Sequence, residues 1–134
     1  MGKALQIRAG TKPNPDHKND AKRLEAVAHM LGYTLIPWQK YVAQVATEID
    51  PDTGSYYYDT VVLTTPRQCG KSALVDASST YNASLGKRRR IVYAAQTGKD
   101  SEDHFKEYYE QLTKSRLRQK VAKGRFSKRS YCRY

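Results

Sequence analysis

The residues with the clearest chemical meaning are Gly70, Lys71 and Ser72, which lie between an aliphatic run and an amphipathic segment. A glycine lets the backbone curl so that its N–H groups face an anion with no side chain in the way. The lysine then places an ammonium group on the β and γ phosphates of a nucleotide, and the serine hydroxyl is a ligand for Mg²⁺. The pattern predicts a phosphate-binding loop for ATP and Mg²⁺ over Thr65–Ser72.

This loop departs from the usual eight-residue pattern, because Thr65 and Pro66 stand where a first glycine is expected. The alternative is a helix N-terminus that contains Gly-Lys and binds no phosphate. The strand expected before the loop and the helix expected after it favour the phosphate loop. A second Gly-Lys pair is followed by Asp100, whose carboxylate would repel a phosphate, so we expect no binding there.

The elements around the loop predict an α/β fold. Apolar residues at helical spacing predict helices over about 21–31, 37–49 and 72–85, and from Asp100 or Ser101 to about Thr113. Aliphatic and β-branched runs predict buried strands at Val61–Thr65 and Ile91–Ala95. The order strand, loop, helix, strand, helix is typical of a parallel sheet with right-handed crossovers. We therefore predict a P-loop NTPase-type parallel sheet flanked by helices, and incomplete within this chain.

The positive charge of the chain is concentrated near its C-terminal end. The 134 residues have a formal net charge of +11. Residues 1–110 hold 15 Lys and Arg against all 13 Asp and Glu, whereas residues 111–134 hold nine basic residues and no acidic one. Such a segment favours a polyanion such as nucleic acid as its partner. The alternative is a solvated charged helix and chain end that another domain covers.

Several other classes are not expected. Cys69 and Cys132 are far apart and suggest neither a disulfide framework nor a metal site, so a reducing cytosolic setting is predicted. No apolar run reaches the ~20 residues of a membrane span. His17, His29 and His104 have no second metal ligand in register.

Three blocks of the sequence carry a family resemblance in their order along the chain. They are Leu35–Asp50 with Pro51–Gly54, Val61–Ser72, and Arg89–Thr97 followed by Lys99 and Asp100. Together they resemble the large subunit of tailed-bacteriophage terminases, the ATPase that drives DNA packaging. The likeness covers about residues 30–123 and implies an ATPase that binds ATP and Mg²⁺ and engages double-stranded DNA. It further implies a terminase small subunit and a portal as partners, in the cytoplasm of an infected bacterial host.

The resemblance assigns roles to single residues. Terminases use a variant phosphate loop with a basic residue in its first half, which Arg67 matches, and this accounts for the missing first glycine. Lys71 and Arg67 are then catalytic, Ser72 is the metal ligand, and adenine is contacted by Trp38 and Gln39. The full set of implied nucleotide contacts is Trp38, Gln39, Pro66, Arg67, Gln68, Cys69, Gly70, Lys71 and Ser72. For Trp38 the alternative is core packing, because it also starts the apolar stripe of its helix.

Parts of the family's motor have no counterpart in this sequence. No run of four aliphatic residues precedes an Asp-Glu pair that would hold Mg²⁺, and the nearest candidates, Asp59 and Asp76, follow no apolar strand. The nuclease part is also missing. We therefore expect a fragment or a shortened gene product: a flexible lead-in over residues 1–20, the N-terminal part of a P-loop ATPase domain over 21–123, and a basic tail over 124–134. Hydrolysis by the chain alone is expected to be slow or absent, with self-association or a separate chain supplying the rest of the motor.

Two other functions fit the same residues. A helicase-like DNA translocase fragment also carries Trp-Gln ahead of a phosphate loop, and the missing downstream motifs would separate it from a terminase. A non-catalytic basic DNA-binding protein would contain an inert Gly-Lys-Ser. Its affinity for DNA would not depend on ATP, and Lys71→Ala would change nothing.

Overall fold

The computed structural model of the chain describes residues 7–86 and 89–119. Within them the elements are β1 (Lys18–Asn19), α1 (Ala21–Met30), α2 (Pro37–Ala46), β2 (Glu48–Ile49), α3 (Lys71–Ser84), α4 (Gly98–Lys114) and a 3₁₀ turn (Arg116–Gln119). The two short strands pair antiparallel, with Lys18 opposite Ile49 and Asn19 opposite Glu48. None of the helices described here is long and apolar enough to cross a membrane.

The first two helices lie where the apolar spacing predicts them. Helix α1 buries Leu24, Val27 and Ala28 and ends ahead of Gly32, whose φ of +92° is the left-handed conformation expected after a helix. Helix α2 begins at Pro37 as predicted. It ends at Ala46, three residues before the predicted end, because the next residues pair with β1 instead.

The third and fourth helices also form, with shifted starts. Helix α3 runs from Lys71 to Ser84, close to the predicted 72–85. Helix α4 begins at Gly98 rather than after Asp100, because Thr97 is its N-cap. The Thr97 hydroxyl oxygen accepts a hydrogen bond from the Asp100 N–H at 3.1 Å, and the hydroxyl donates to the Asp100 carboxylate at 2.7 Å. This reciprocal pair satisfies a free donor of the helix N-terminus.

The core lies between α1, α2 and α3, and the turn after α4 closes one side of it. Its buried members are Leu24, Val27, Ala28, Leu31, Leu35, Trp38, Ala43, Leu74, Ala77, Tyr81 and Leu117. Helix α4 itself buries no residue. Side-chain hydrogen bonds hold it to the helices beneath: the Tyr108 hydroxyl lies 2.7 Å from that of Thr80, and the Gln111 amide donates to the Leu31 carbonyl at 2.6 Å.

The two runs predicted as buried strands are not paired in this structure. Among the described residues, no backbone–backbone hydrogen bond involves residues 59–66 or 89–94. Val62 and Val92 are 86 % and 87 % exposed. The only sheet in the described part is the β1–β2 ribbon. A parallel strand needs a neighbour beside it and a layer over each face, so the parallel sheet stays a prediction that the described residues do not complete.

The predicted lead-in contacts the folded part through a buried carboxylate. Glu48 is 1 % exposed, and its two oxygens accept from the Asn14 N–H at 2.9 Å and approach His17 Nδ1 at 3.3 Å. Tyr41 donates its hydroxyl to the Thr11 carbonyl at 2.7 Å. These contacts attach residues 11–17 to α2 and β2.

Candidate functional site

The loop ahead of α3 makes a tight turn with two residues in the left-handed region. Gln68 has φ +58° and Gly70 has φ +86°, and Gly70 is the N-cap of α3. Left-handed residues among neighbours of ordinary conformation curl a backbone so that successive N–H groups converge on one point. Gly70 tolerates this φ because it has no Cβ, as the sequence predicts.

The same loop is open to solvent and positively charged. Pro66, Arg67, Gln68, Gly70, Lys71 and Ser72 are exposed, and Cys69 is half-buried. The first turn of α3 contains no acidic residue. The positive end of the helix dipole and the charges of Arg67 and Lys71 therefore act on the same space, which is the electrostatic requirement for an anion.

The structure gives Gln39 a contact with this loop. Its side-chain amide donates to the Gly70 carbonyl at 2.7 Å, and its side-chain oxygen accepts from the Ile36 N–H at 2.9 Å. The residue is 3 % exposed. The resemblance predicts an adenine contact for Gln39, but here both ends of its amide are engaged by the protein backbone.

Trp38 takes the core position that the sequence offers as the alternative to an adenine contact. It is 4 % exposed and belongs to the core between the helices. It also lines a cavity of about 1020 Å³, together with Tyr41, Val42 and Val45 of α2 and with residues 7–11 and 61–66. Among the described residues, its indole N–H has no hydrogen-bond partner, nor has the buried hydroxyl of Thr65, which lines the same cavity. Of the phosphate loop, only Thr65 and Pro66 reach this cavity.

A buried polar cluster lies one turn further along α3. Asp76 is almost fully buried, and Tyr33 donates its hydroxyl to Asp76 Oδ2 at 3.1 Å. His104 Nε2 of α4 lies 3.0 Å from Asp76 Oδ1, and the ring of Tyr93 stacks on His104 with centroids 4.2 Å apart. Burial raises the pKa of Asp76 against the opposing effect of His104. Burial and the nearby Asp76 carboxylate raise the pKa of Tyr33 to about 12.

No pattern in the sequence indicates this cluster, because its residues are far apart along the chain. Asp76 and His104 are separated by 28 positions, and in the sequence His104 has no second metal ligand in register. With its oxygens engaged by Tyr33 and His104, Asp76 is not directed at Ser72 as a magnesium ligand. The other candidate, Asp59, is exposed. In the part of the chain described, no three His, Cys, Asp or Glu residues gather as a metal site.

The predicted basic tail, residues 124–134, lies outside the described residues. The basic segment can be followed only to its start, where Arg116 and Arg118 are exposed on the 3₁₀ turn.

Comparison with protein-family models, curated proteins and solved structures gives no match to this chain. The function is therefore argued from the loop and the residues around it.

Proposed function

We propose that this chain binds ATP and Mg²⁺ at the loop Thr65–Ser72 and is the N-terminal ATPase segment of a terminase-type DNA-packaging motor. One observation carries the nucleotide part. A left-handed Gly70 caps α3 in an exposed loop, and Lys71 and Arg67 are the charges beside it. A helix N-terminus, convergent backbone N–H groups and two cations together favour a polyphosphate.

Four residues of the loop then have distinct tasks. The N–H groups at the start of α3 have no partner within the helix and bind phosphate oxygens. Lys71 neutralises charge on the β and γ phosphates, and Arg67 stabilises charge that develops on the transferred group. The Ser72 hydroxyl would be a ligand of the magnesium ion that accompanies the nucleotide. This ion would neutralise part of the phosphate charge. A curled backbone without side chains at Gly70 allows the phosphates to approach closely.

The base is expected near Trp38. Trp38 and the valines of α2 supply an apolar wall of the adjoining cavity. A purine offers a flat face that packs on such a wall. Because Trp38 also belongs to the core, its substitution would affect folding as well as binding.

Hydrolysis needs parts that the described residues do not supply. Asp76 is held by Tyr33 and His104, so the carboxylate for Mg²⁺ and the residue that orients water come from another segment or another chain. The unpaired apolar runs at residues 61–65 and 91–95 are consistent with a sheet that such a segment completes. DNA engagement and the terminase partners rest on the resemblance alone.

The test is the shift in melting temperature that ATP–Mg²⁺ produces. A ligand at about ten times its Kd stabilises the folded state by about 1.4 kcal/mol, which for a domain of this size raises Tm by several degrees. Lys71→Ala should weaken binding about ten- to hundredfold through loss of a charged contact, and so remove most of the shift. Lys99→Ala is the matched control, because Lys99 is exposed at the N-terminus of another helix.

The outcomes separate the candidate functions. A shift in wild type and Lys99→Ala that is lost in Lys71→Ala supports nucleotide binding at the loop. No shift at millimolar ATP in a folded sample contradicts it. In that case, an affinity for DNA that is the same with and without ATP, and the same in Lys71→Ala, favours the non-catalytic DNA-binding protein. The exposed Arg116 and Arg118 would then supply phosphate contacts. A helicase-like translocase would bind nucleotide in the same way and is distinguished by the missing motifs.

A further inference from the structure

Gln39 is a buried amide whose two ends connect α2 to the phosphate loop. A primary amide left without partners in the interior is unfavourable, so its hydrogen bonds determine where it points. The oxygen accepts from the Ile36 N–H at 2.9 Å, one of the donors that the N-terminus of α2 leaves free. This contact orients the side chain from its own helix, and the N–H₂ group is then directed at the Gly70 carbonyl, 2.7 Å away.

Holding the Gly70 carbonyl also orients the N–H of the next residue. The peptide group is planar and trans, so the carbonyl of Gly70 and the N–H of Lys71 point in opposite directions in one plane. No cis peptide bond occurs among the described residues. With the carbonyl turned towards α2, the Lys71 N–H is turned away from α2. It is the first N–H of α3, and therefore one of the donors that a bound phosphate would use.

The contact between Gln39 and the loop is also close enough to crowd any side chain at position 70. An ideal Cβ placed on Gly70 would lie 3.0 Å from Gln39 Nε2. The φ of +86° excludes most side chains independently of that contact. The close approach of α2 to the loop therefore accounts for both residue types, the amide at Gln39 and the glycine at Gly70.

We propose that Gln39 is a positioning residue that holds the phosphate loop in its anion-binding conformation and acts on every polyphosphate ligand alike. This inference rests on the proposed function, since it assumes that the loop binds phosphate. It differs from the base contact that the resemblance predicts. A residue that reads adenine affects ATP selectively, whereas a residue that orients the Lys71 N–H affects ATP, GTP and inorganic tripolyphosphate by one common factor.

The test is calorimetric titration with the Mg²⁺ complexes of ATP, GTP and inorganic tripolyphosphate. Gln39→Met keeps a side chain of similar length, adds no charge and loses the donor to the Gly70 carbonyl. Gln44→Met is the matched control, because Gln44 is exposed on the same helix. Gln39→Met should weaken all three ligands by the same factor, about three- to tenfold from the lost hydrogen bond, beyond the effect of Gln44→Met.

Two results would overturn the inference while leaving nucleotide binding intact. One is a loss confined to ATP, which would make Gln39 a base contact. The other is equal affinities in the two variants for all three ligands. If wild type binds none of the three, the proposed function fails as well, and that is seen without any variant. If Gln39→Met does not fold, Gln39→Leu, with Gln44→Leu as its control, carries the same comparison.

Discussion

Replacing Gly70 by alanine tests the loop geometry in the absence of any ligand. A side chain in the left-handed region costs about 1–2 kcal/mol. The new Cβ would also lie 3.0 Å from Gln39 Nε2, so that amide must shift and weaken a hydrogen bond that contributes about 0.5–1.5 kcal/mol. The sum predicts that Gly70→Ala lowers the free energy of unfolding by roughly 1.5–3.5 kcal/mol.

Gly54 separates the two contributions. Its φ is +69°, and an added Cβ would meet no atom within 4 Å. Gly54→Ala should therefore show only the backbone cost of about 1–2 kcal/mol. The difference between the two substitutions measures the crowding against Gln39, and it should be about 0.5–1.5 kcal/mol.

The assay is urea unfolding, compared at the transition midpoints so that extrapolation errors cancel. Both glycine substitutions are made in wild type and in Gln39→Ala. In the second background the excess cost of Gly70→Ala should vanish, because the atom that the methyl group meets is gone. If Gly70→Ala is no more costly than Gly54→Ala, or if its excess persists without Gln39, the described approach of α2 to the loop is wrong.

Two further predictions concern the contact of α3 with α4 and the start of α4. Burial raises the pKa of Asp76 above its usual 3.8, so the folded state binds that proton more tightly than the unfolded chain does. The stability that the neutral carboxyl provides is full below pH 3.8 and is lost as pH rises through the raised pKa. Wild type should accordingly lose stability relative to Asp76→Asn as pH rises from this value. Unfolding measured across the acid range checks this, and a relative gain would mean that the His104 ion pair dominates. Thr97→Ala removes the N-cap of α4 and should lower the free energy of unfolding by about 1 kcal/mol. Thr113→Ala, near the other end of the helix, is the comparison. Equal losses of stability in the two variants would contradict the capping role.

The helices could be predicted because their signals are local. Apolar residues every three or four positions gave the helices α1, α2 and α3, and Gly32 and Pro37 gave boundaries that the structure confirms within one residue. The predicted end of α2 and the predicted start of α4 were wrong by a few residues. The first depends on pairing with β1, and the second on a cap by Thr97, which competes with its neighbours Asp100 and Ser101 for that position.

Contacts between distant positions could not be predicted. Gln39 and Gly70 lie 31 residues apart, and only the packing of α2 against the loop brings them together. The aliphatic composition of residues 61–65 and 91–95 indicates a tendency to form strands. It does not identify the neighbouring strand that would pair with their backbone groups. The positive φ of Gly70 could be predicted, because a tight turn before Lys-Ser at a helix start favours a residue that adopts φ above zero at little cost.

The central claim is that phosphate binds on the backbone at the start of α3. The most direct measurement is the change in backbone amide resonances of the ¹⁵N-labelled protein on titration with magnesium tripolyphosphate. The largest shifts should fall on Gly70, Lys71 and Ser72, while the similar Gly98-Lys99 start of α4 stays unchanged. Shifts confined to Arg116 and Arg118, equal shifts at both helix starts, or none at all would contradict it.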